Sequence, residues 1–556
     1  MAVSVAIFLL IALPWLNPFA PGPSAAAVPL MFSWACAALL LLLCVHLPRR
    51  ALTGALVRAA AWAWLVAGLI SSLIGIAQYL GLGGRLLPWV NQTLLGQAFG
   101  NLRQRNQFAT LTCIALAALL WLATTRGARR ARSAGLASGT AAPAHGGEPS
   151  GRVALDAARA SHAPWLRRWR SGAEGAARWL PGWPGWLAAA LLAAGNAAAS
   201  SRTGLLELVA LCLLYAVWRG WREPALRRLL LAALAGYFLA ALVLPWIAGF
   251  GPFGGGAFER LREGVPGCQS RLALWGNVLQ LIAERPLAGW GWGGLAYAQY
   301  ITLFHGVRFC ALLDNAHDLP LQLAVTFGVP AALLVCGAFV WWVWRQRPWA
   351  EFDARRRLAW SVVALILLHS LVEYPLWYGP FQTAFALCLF WLLRTAPGKK
   401  FNKKPATGQS LSAQRAITAI ATAALTLLTL AAFDYWRVSQ IFLPPAERAA
   451  AYRGDALEAA RGAWLFQGPA RFALLTLTEP TPENALQLRR LAGELLHYSP
   501  EPRVIEKLIA SDLLLGHDED ARFHLARFRA AWPAECAAWL AHNPGFARTL
   551  APPSPD

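Results

Sequence analysis

Apolar stretches of near-bilayer length recur along this chain, and short arginine-rich blocks separate them. Crossing a bilayer takes about 20 mostly apolar residues as a helix, because only a helix or a closed barrel satisfies its backbone groups in lipid. Segments of that kind fall at 3–20, 27–47, 59–80, 107–125, 184–200, 203–218, 229–250, 318–344, 358–373, 380–395 and 415–433. The 556 residues are 57% hydrophobic and 14% charged, with a mean hydropathy of +0.43. That balance excludes an ordinary soluble protein. The expectation is an all-α polytopic membrane protein of about eleven transmembrane helices.

A net charge of +22 suits a nucleic-acid partner, so the distribution of the arginines decides. They sit in blocks between the apolar segments: Arg49, Arg50 and Arg58; Arg126 to Arg178; Arg219 to Arg228; Arg345 to Arg357; Arg394 to Arg415. This is the pattern of cytoplasmic loops under the positive-inside rule, and it speaks against nucleic acid. With the basic blocks inside, the segments alternate without conflict, the N-terminus inside and the C-terminus outside. The run from Met1 to Leu16 reads as a first span or anchor. The less basic connections then share the outer face: 21–26, 81–106, the Ser200–Gly204 break, 251–317, the 374–379 corner and everything after 434.

Two domains follow. Residues 1–433 form the transmembrane part, with 126–181, rich in Ala, Gly, Ser and Arg, as a disordered cytoplasmic loop and 251–317 as a long outer loop. Lys399, Lys400, Lys403 and Lys404 make a second basic tract suited to orientation or anionic lipid. Residues 434–556 change to amphipathic stretches at 444–465, 482–498, 502–515 and 517–531, punctuated by Pro480, Pro482, Pro500, Pro502 and Pro533. They read as a small outer-face helical domain resembling tetratricopeptide-type packing.

The polar motifs concentrate on that outer face. Arg271 opens a segment in which Leu272, Trp275, Leu279 and Ile282 recur at helical spacing, and a guanidinium at one end can hold phosphate oxygens bidentately. Arg202 interrupts two apolar stretches, where a charge is costly unless it is paired, interfacial or facing an aqueous cavity. Asn101 to Gln107, with Arg103 and Arg105, brings donors to the same face. His317, flanked by Asp314, Asn315 and Asp318, is a candidate proton acceptor. His369 and Glu373 are four apart before Pro375 breaks the helix and presents Tyr374, Trp377 and Tyr378, which also suits an interfacial aromatic belt. The run Gly289-Trp290-Gly291-Trp292-Gly293-Gly294 lacks a βαβ context and reads as a tight turn whose tryptophans rest on the membrane interface or a sugar. Of nine cysteines, Cys268 and Cys310 lie in the outer loop. In an oxidising compartment they close a loop worth roughly 4 kcal/mol; otherwise they are two buried thiols. No HExxH helix and no GxSxG serine-nucleophile motif is present in the sequence.

The combination resembles a known family. Arg271-Leu272-Ala273-Leu274-Trp275, then Arg285-Pro286-Leu287-Ala288-Gly289-Trp290-Gly291, Asp314-Asn315-Ala316-His317 and Gln322 to Gly328 are similar to the O-antigen ligase and polymerase superfamily. His369 to Tyr378 resembles its branch of bacterial O-linked protein oligosaccharyltransferases, as does the C-terminal helical extension. The resemblance implies en bloc transfer of a glycan from undecaprenyl pyrophosphate to a Ser or Thr hydroxyl of a periplasmic protein, at the outer face of the bacterial inner membrane. It places two arginines at the diphosphate and a loop histidine at the acceptor, which here are Arg202, Arg271 and His317. Neither a metal nor another cofactor is implied. Arg103, Arg105, Gln107, Asp314, Glu373, Tyr374 and Tyr378 are the further substrate-binding candidates. This sequence has Asp318 where the resemblance implies Asn after the histidine. Competing readings are a lipid A–core O-antigen ligase, an O-antigen polymerase and, from another class, a transporter of lipid-linked glycans.

Overall fold

The computed structural model describes residues 2–19, 26–45, 49–137, 180–251, 267–394 and 411–550, and among them every regular element is helical. In chain order the first helices are α1 Ala2–Leu16, α2 Ala27–Val45, α3 Arg49–Tyr79, α4 Arg105–Ala137, α5 Trp183–Ala198, α6 Arg202–Val217 and α7 Pro224–Ile247. Next come α8 Arg271–Glu284, α9 Leu295–Ile301, α10 Leu319–Phe327, α11 Val329–Gln346, α12 Ala354–Ser370, α13 Gly379–Arg394 and α14 Leu411–Ser439. The last are α15 Ala456–Ala460, α16 Gln467–Leu477, α17 Ala485–Leu495, α18 Pro502–Leu514, α19 Asp518–Ala531, α20 Pro533–His542 and α21 Pro544–Thr549.

Among the described residues six helical segments are long and apolar enough to cross a membrane: Ala27–Val45, Gly54–Tyr79, Arg105–Thr124, Pro224–Ile247, Val329–Ala350 and Leu411–Phe442. Val3–Leu16 is a shorter apolar helix. The chain is therefore a multi-pass membrane protein with six candidate spans rather than the expected eleven. The reason is length. Helices α5, α6 and α13 have 16 residues and α12 has 17; at 1.5 Å per residue such helices reach about 25 Å, short of a hydrocarbon core near 30 Å.

The described chain divides into two compact units, Met1–Gly264 with Val343–Leu428, and Val265–Trp342 with Thr429–Asp556. In the first, α4 is the central helix, packed by α3, α5, α6, α7 and α12. Its residues from Phe108 to Leu122, apolar but for Thr110 and Thr112, are buried on every side, as a helix with no polar face must be. Helices α5 and α7 cross with backbones almost touching, since a Cβ on Gly236 would lie 2.6 Å from Ala190 Cα. Helix α4 also runs on to Ala137, into the stretch expected to be a disordered loop, because Ala and Arg are strong helix formers. The remainder of that loop, the second basic tract and part of the outer loop lie outside the described residues.

The second unit differs from expectation in three places. The stretch 318–344 is not one span but two helices broken at Gly328, whose φ is +88° and where a Cβ would lie 2.0 Å from Leu287 O. The intruder is the Arg285–Gly291 turn: Trp290 N and Gly291 N donate to Val325 O and Thr326 O (2.8 and 3.0 Å), and Val329 N donates to Pro286 O (2.7 Å). Within it Trp290 is not an interfacial ring, for its Nε1 donates to Leu281 O at 2.8 Å and Arg285 lies over its face at 4.0 Å; Trp292 is the exposed one. Helix α8 buries Leu274, Val278, Leu281 and Ile282, while Leu272 and Leu279 are 80% and 54% exposed. Asn277 decides the rotation, because its buried amide donates to Val307 O (3.0 Å) and accepts from Phe309 N (2.8 Å). A polar residue is thus the anchor of the buried side. Finally, 444–465 holds only short 3-10 turns and α15, interrupted by Pro444, Pro445 and Gly454. The C-terminal core is made instead by α16 to α20.

Candidate active site

In the first unit the N-terminal ends of α4 and α6 and the C-terminal end of α12 are joined by a buried polar chain. Ser201 caps α6 by accepting from Gly204 N (3.0 Å), and its hydroxyl donates to Asn106 Oδ1 at 2.7 Å. Asn106 Nδ2 in turn donates to Glu373 Oε1 at 3.1 Å. One turn further into α4, Thr110 Oγ1 lies 2.9 Å from Asn106 O, 2.7 Å from Glu207 Oε1 and 2.7 Å from His369 Nδ1. Glu207 and His369 are fully buried, and Glu207 Oε2 and His369 Nε2 have no hydrogen-bond partner among the described residues. Around this chain stand the expected contacts of the unit. Arg202 is exposed at the first position of α6, Arg103 is exposed with φ +61°, and Arg105 lies over the Phe99 ring at 5.6 Å. Gln107 is buried, and its Nε2 has no hydrogen-bond partner among the described residues. Helix α12 ends at Ser370, so Glu373 sits beyond it in a turn, with its N donating to His369 O, and Tyr374 and Tyr378 stack at 5.8 Å.

The second unit builds the Arg271 and His317 region. The sulfurs of Cys268 and Cys310 are bonded, tying the turn before α8 to the segment that leads to His317. Ser270 caps α8 by accepting from Ala273 N at 3.1 Å, and Arg271 is the first helical residue. One turn on, Trp275 Nε1 donates to Ala316 O at 3.2 Å. Ala316 N donates to Gln322 Oε1 (2.7 Å) and His317 N to Asn315 Oδ1 (2.8 Å). His317 itself adopts φ +51°, a conformation that holds only when its surroundings fix it. Asp318 caps α10 by accepting from Leu321 N (2.8 Å), and Asp314 is exposed.

Arg202 and Arg271 thus stand in the same local construction. Each follows a serine N-cap whose oxygen takes the N–H three residues on, and each opens a helix of 14 or more residues. A helix N-terminus carries partial positive charge and unpaired N–H groups, so an added guanidinium makes it a strong anion site. Glu207 and Thr110 were not singled out from sequence, and Asn106 entered only as part of the Asn101–Gln107 motif. The signal for Glu207 was available, as an isolated carboxylate in an apolar helix; Thr110 carries none.

Comparison with known proteins gives three family matches. Residues 187–336 match the model described as O-antigen ligase, 98–123 the model for a protein glycosylation ligase, and 357–544 the C-terminal model of a virulence factor membrane-bound polymerase. A general O-oligosaccharyltransferase of Acinetobacter baylyi is 25% identical over 217 residues. That alignment spans 35% of this chain and 35% of the relative, about a third of each. No solved structure matches the chain. The matches take in Arg105 and Gln107, then Arg202, Arg271 and His317, then Glu373 and Tyr378, and the chain resembles the O-antigen ligase and polymerase superfamily, most of all its protein O-oligosaccharyltransferase branch.

Proposed function

We propose that this protein transfers an oligosaccharide en bloc from undecaprenyl pyrophosphate to Ser or Thr hydroxyls of periplasmic proteins, at the outer face of the bacterial inner membrane. The observation that carries the proposal is the pair of serine-capped helix N-termini headed by Arg202 and Arg271, both within residues 187–336, which match the O-antigen ligase model. A lipid-linked diphosphate is the anion that suits two such sites.

The reaction is an inverting displacement at the anomeric carbon. The acceptor oxygen forms the new glycosidic bond as the bond from that carbon to the pyrophosphate oxygen breaks. His317 takes the hydroxyl proton, a contribution of about 10²–10⁴-fold. Arg202 and Arg271 stabilise the charge that develops on the departing pyrophosphate. Arg103, Arg105 and Gln107 bind donor oxygens, and Glu373, Tyr374 and Tyr378 shape the sugar or acceptor pocket, where stacked rings suit a sugar face. Asp314 lines the acceptor side. None of these steps uses a metal, so a chelator leaves transfer by the purified protein unchanged.

The test is removal of the chromosomal copy, with glycoprotein and lipopolysaccharide profiles read side by side. Loss of protein-linked glycan with intact lipopolysaccharide supports the proposal. Truncated lipopolysaccharide with normal glycoproteins assigns the O-antigen ligase activity that the 187–336 match describes.

A further inference from the structure

The short helix α9 stands between two cores. Leu295 and Ala298 belong to the core that α8, α10 and α11 build around the His317 segment, whereas Tyr300, with Tyr297 and Ile301 against it, belongs to the core of the C-terminal helices. On the C-terminal side Tyr300 Oη meets His524 Nδ1 at 2.9 Å, Arg527 Nε donates to Ile301 O at 2.7 Å, and the Tyr297 ring stacks on His497 at 3.8 Å. On the other side one amide holds the chain before His317. Gln299 Oε1 accepts from Leu313 N at 2.7 Å, and its Nε2 donates to Phe309 O and Ala311 O at 3.2 and 2.9 Å. Gln299 is 3% exposed and Leu313 is 1% exposed, so the Gln299 amide and the Leu313 N–H have no water as an alternative. Arg308 closes the frame by donating to Gln299 O and Thr302 O.

We propose that the C-terminal helical domain is a positioning element for the acceptor-side histidine, acting through α9, and that Gln299 is the positioning residue that passes its order to the 309–317 segment. The C-terminal helices fix Tyr300 and Ile301, α9 fixes Gln299, and Gln299 sets the three backbone groups from which the chain runs to His317 in its positive-φ conformation. The domain is thereby part of the fold of the catalytic loop, whatever acceptors it meets. This inference rests on the transfer reading only for its catalytic consequence; its structural half stands apart.

The experiment uses the full-length protein in detergent or nanodiscs, with Gln299→Ala and Tyr300→Phe, and His317→Ala as the control for the reading of function. Hydrogen exchange reports the Leu313 to His317 amides directly, and kinetics with a lipid-linked oligosaccharide and an acceptor protein report transfer. In Gln299→Ala the Leu313 amide exchanges faster and kcat falls by about tenfold or more, while the KM for donor is unchanged, because misplacing a reacting group acts on the chemical step. Tyr300→Phe, which removes a single hydroxyl and keeps the ring packing, shifts both readouts in the same direction by less. Unchanged protection and unchanged kcat in folded Gln299→Ala overturn the inference, and faster exchange with unchanged kcat overturns its catalytic half. Normal transfer by His317→Ala, together with loosened amides in Gln299→Ala, sinks the reading of function and leaves the coupling standing.

Discussion

The Thr110 hydroxyl has one proton and three neighbours placed to receive it: Asn106 O, Glu207 Oε1 and His369 Nδ1. One proton serves one acceptor and a carbonyl cannot donate, so all three contacts hold together only if the hydroxyl donates to Asn106 O while the carboxyl and the imidazole both donate to the Thr110 oxygen. The three side chains are therefore a single donor–acceptor set, and removing its centre strands two buried groups at once. Thr110→Val, nearly isosteric, costs about 1–3 kcal/mol for each group left unpaired, whereas Thr110→Ser keeps the stability. Unfolding midpoints in detergent for the two variants check this. No periodicity announces such a residue, because a threonine in an apolar helix reads as filler. Glu207 was legible in principle as a lone acid in an apolar segment, but its partners come from helices far apart in sequence.

At the scale of elements, two features turn on which side of a helix is inside. Apolar spacing makes α8 a helix and fails to choose its face, since Leu272 and Leu279 alternate with Leu274, Val278 and Leu281 and the choice is made by the hydrogen bonds of Asn277. Leu281→Ala consequently costs about 2–5 kcal/mol, and Leu272→Ala stays within about 0.5 kcal/mol. Both values are read from denaturant unfolding of the full protein. The α10–α11 junction is fixed by backbone contact. An added Cβ at Gly328 meets Leu287 O, so Gly328→Ala must displace the Arg285–Gly291 turn and costs at least about 1–3 kcal/mol, seen as a lowered melting temperature. The break at Gly328 was illegible as a break because its cause, the arriving turn, is forty residues upstream in the chain. By contrast the Ser-Arg starts of α6 and α8 were local signals, and the sequence showed both arginines where the helices begin.

At the scale of the whole molecule, composition was enough for an all-helical membrane protein and overstated the number of full-length spans, because apolar helices of 16 or 17 residues pass a composition test and fail a length test. The C-terminal region was legible as helical, and its union with α9 was not, for that depends on Tyr300 fitting a core built about 175 to 250 residues later, from Leu475 to Leu550. This union has a pH signature. Burial, with Arg527 nearby, lowers the His524 pKa from its ordinary value to about 4. A histidine whose folded pKa lies below its unfolded value contributes stability that is complete above about pH 6.5 and is lost as pH falls towards 4, on the order of 2–3 kcal/mol in all. Asp512 and Glu506, raised by burial, act in the opposite sense as they protonate. The difference in unfolding free energy between wild type and His524→Gln isolates the histidine: it shrinks as pH drops from 6.5 to 4, and a difference that stays flat or grows contradicts the assignment. The central claim, that Arg271 and His317 carry out glycan transfer, is tested most directly with purified protein, a lipid-linked oligosaccharide and an acceptor protein. With His317→Ala and Arg271→Ala at wild-type abundance and melting temperature, the account predicts that transfer falls by about 10²-fold or more in each; transfer at the wild-type rate by either variant would contradict it.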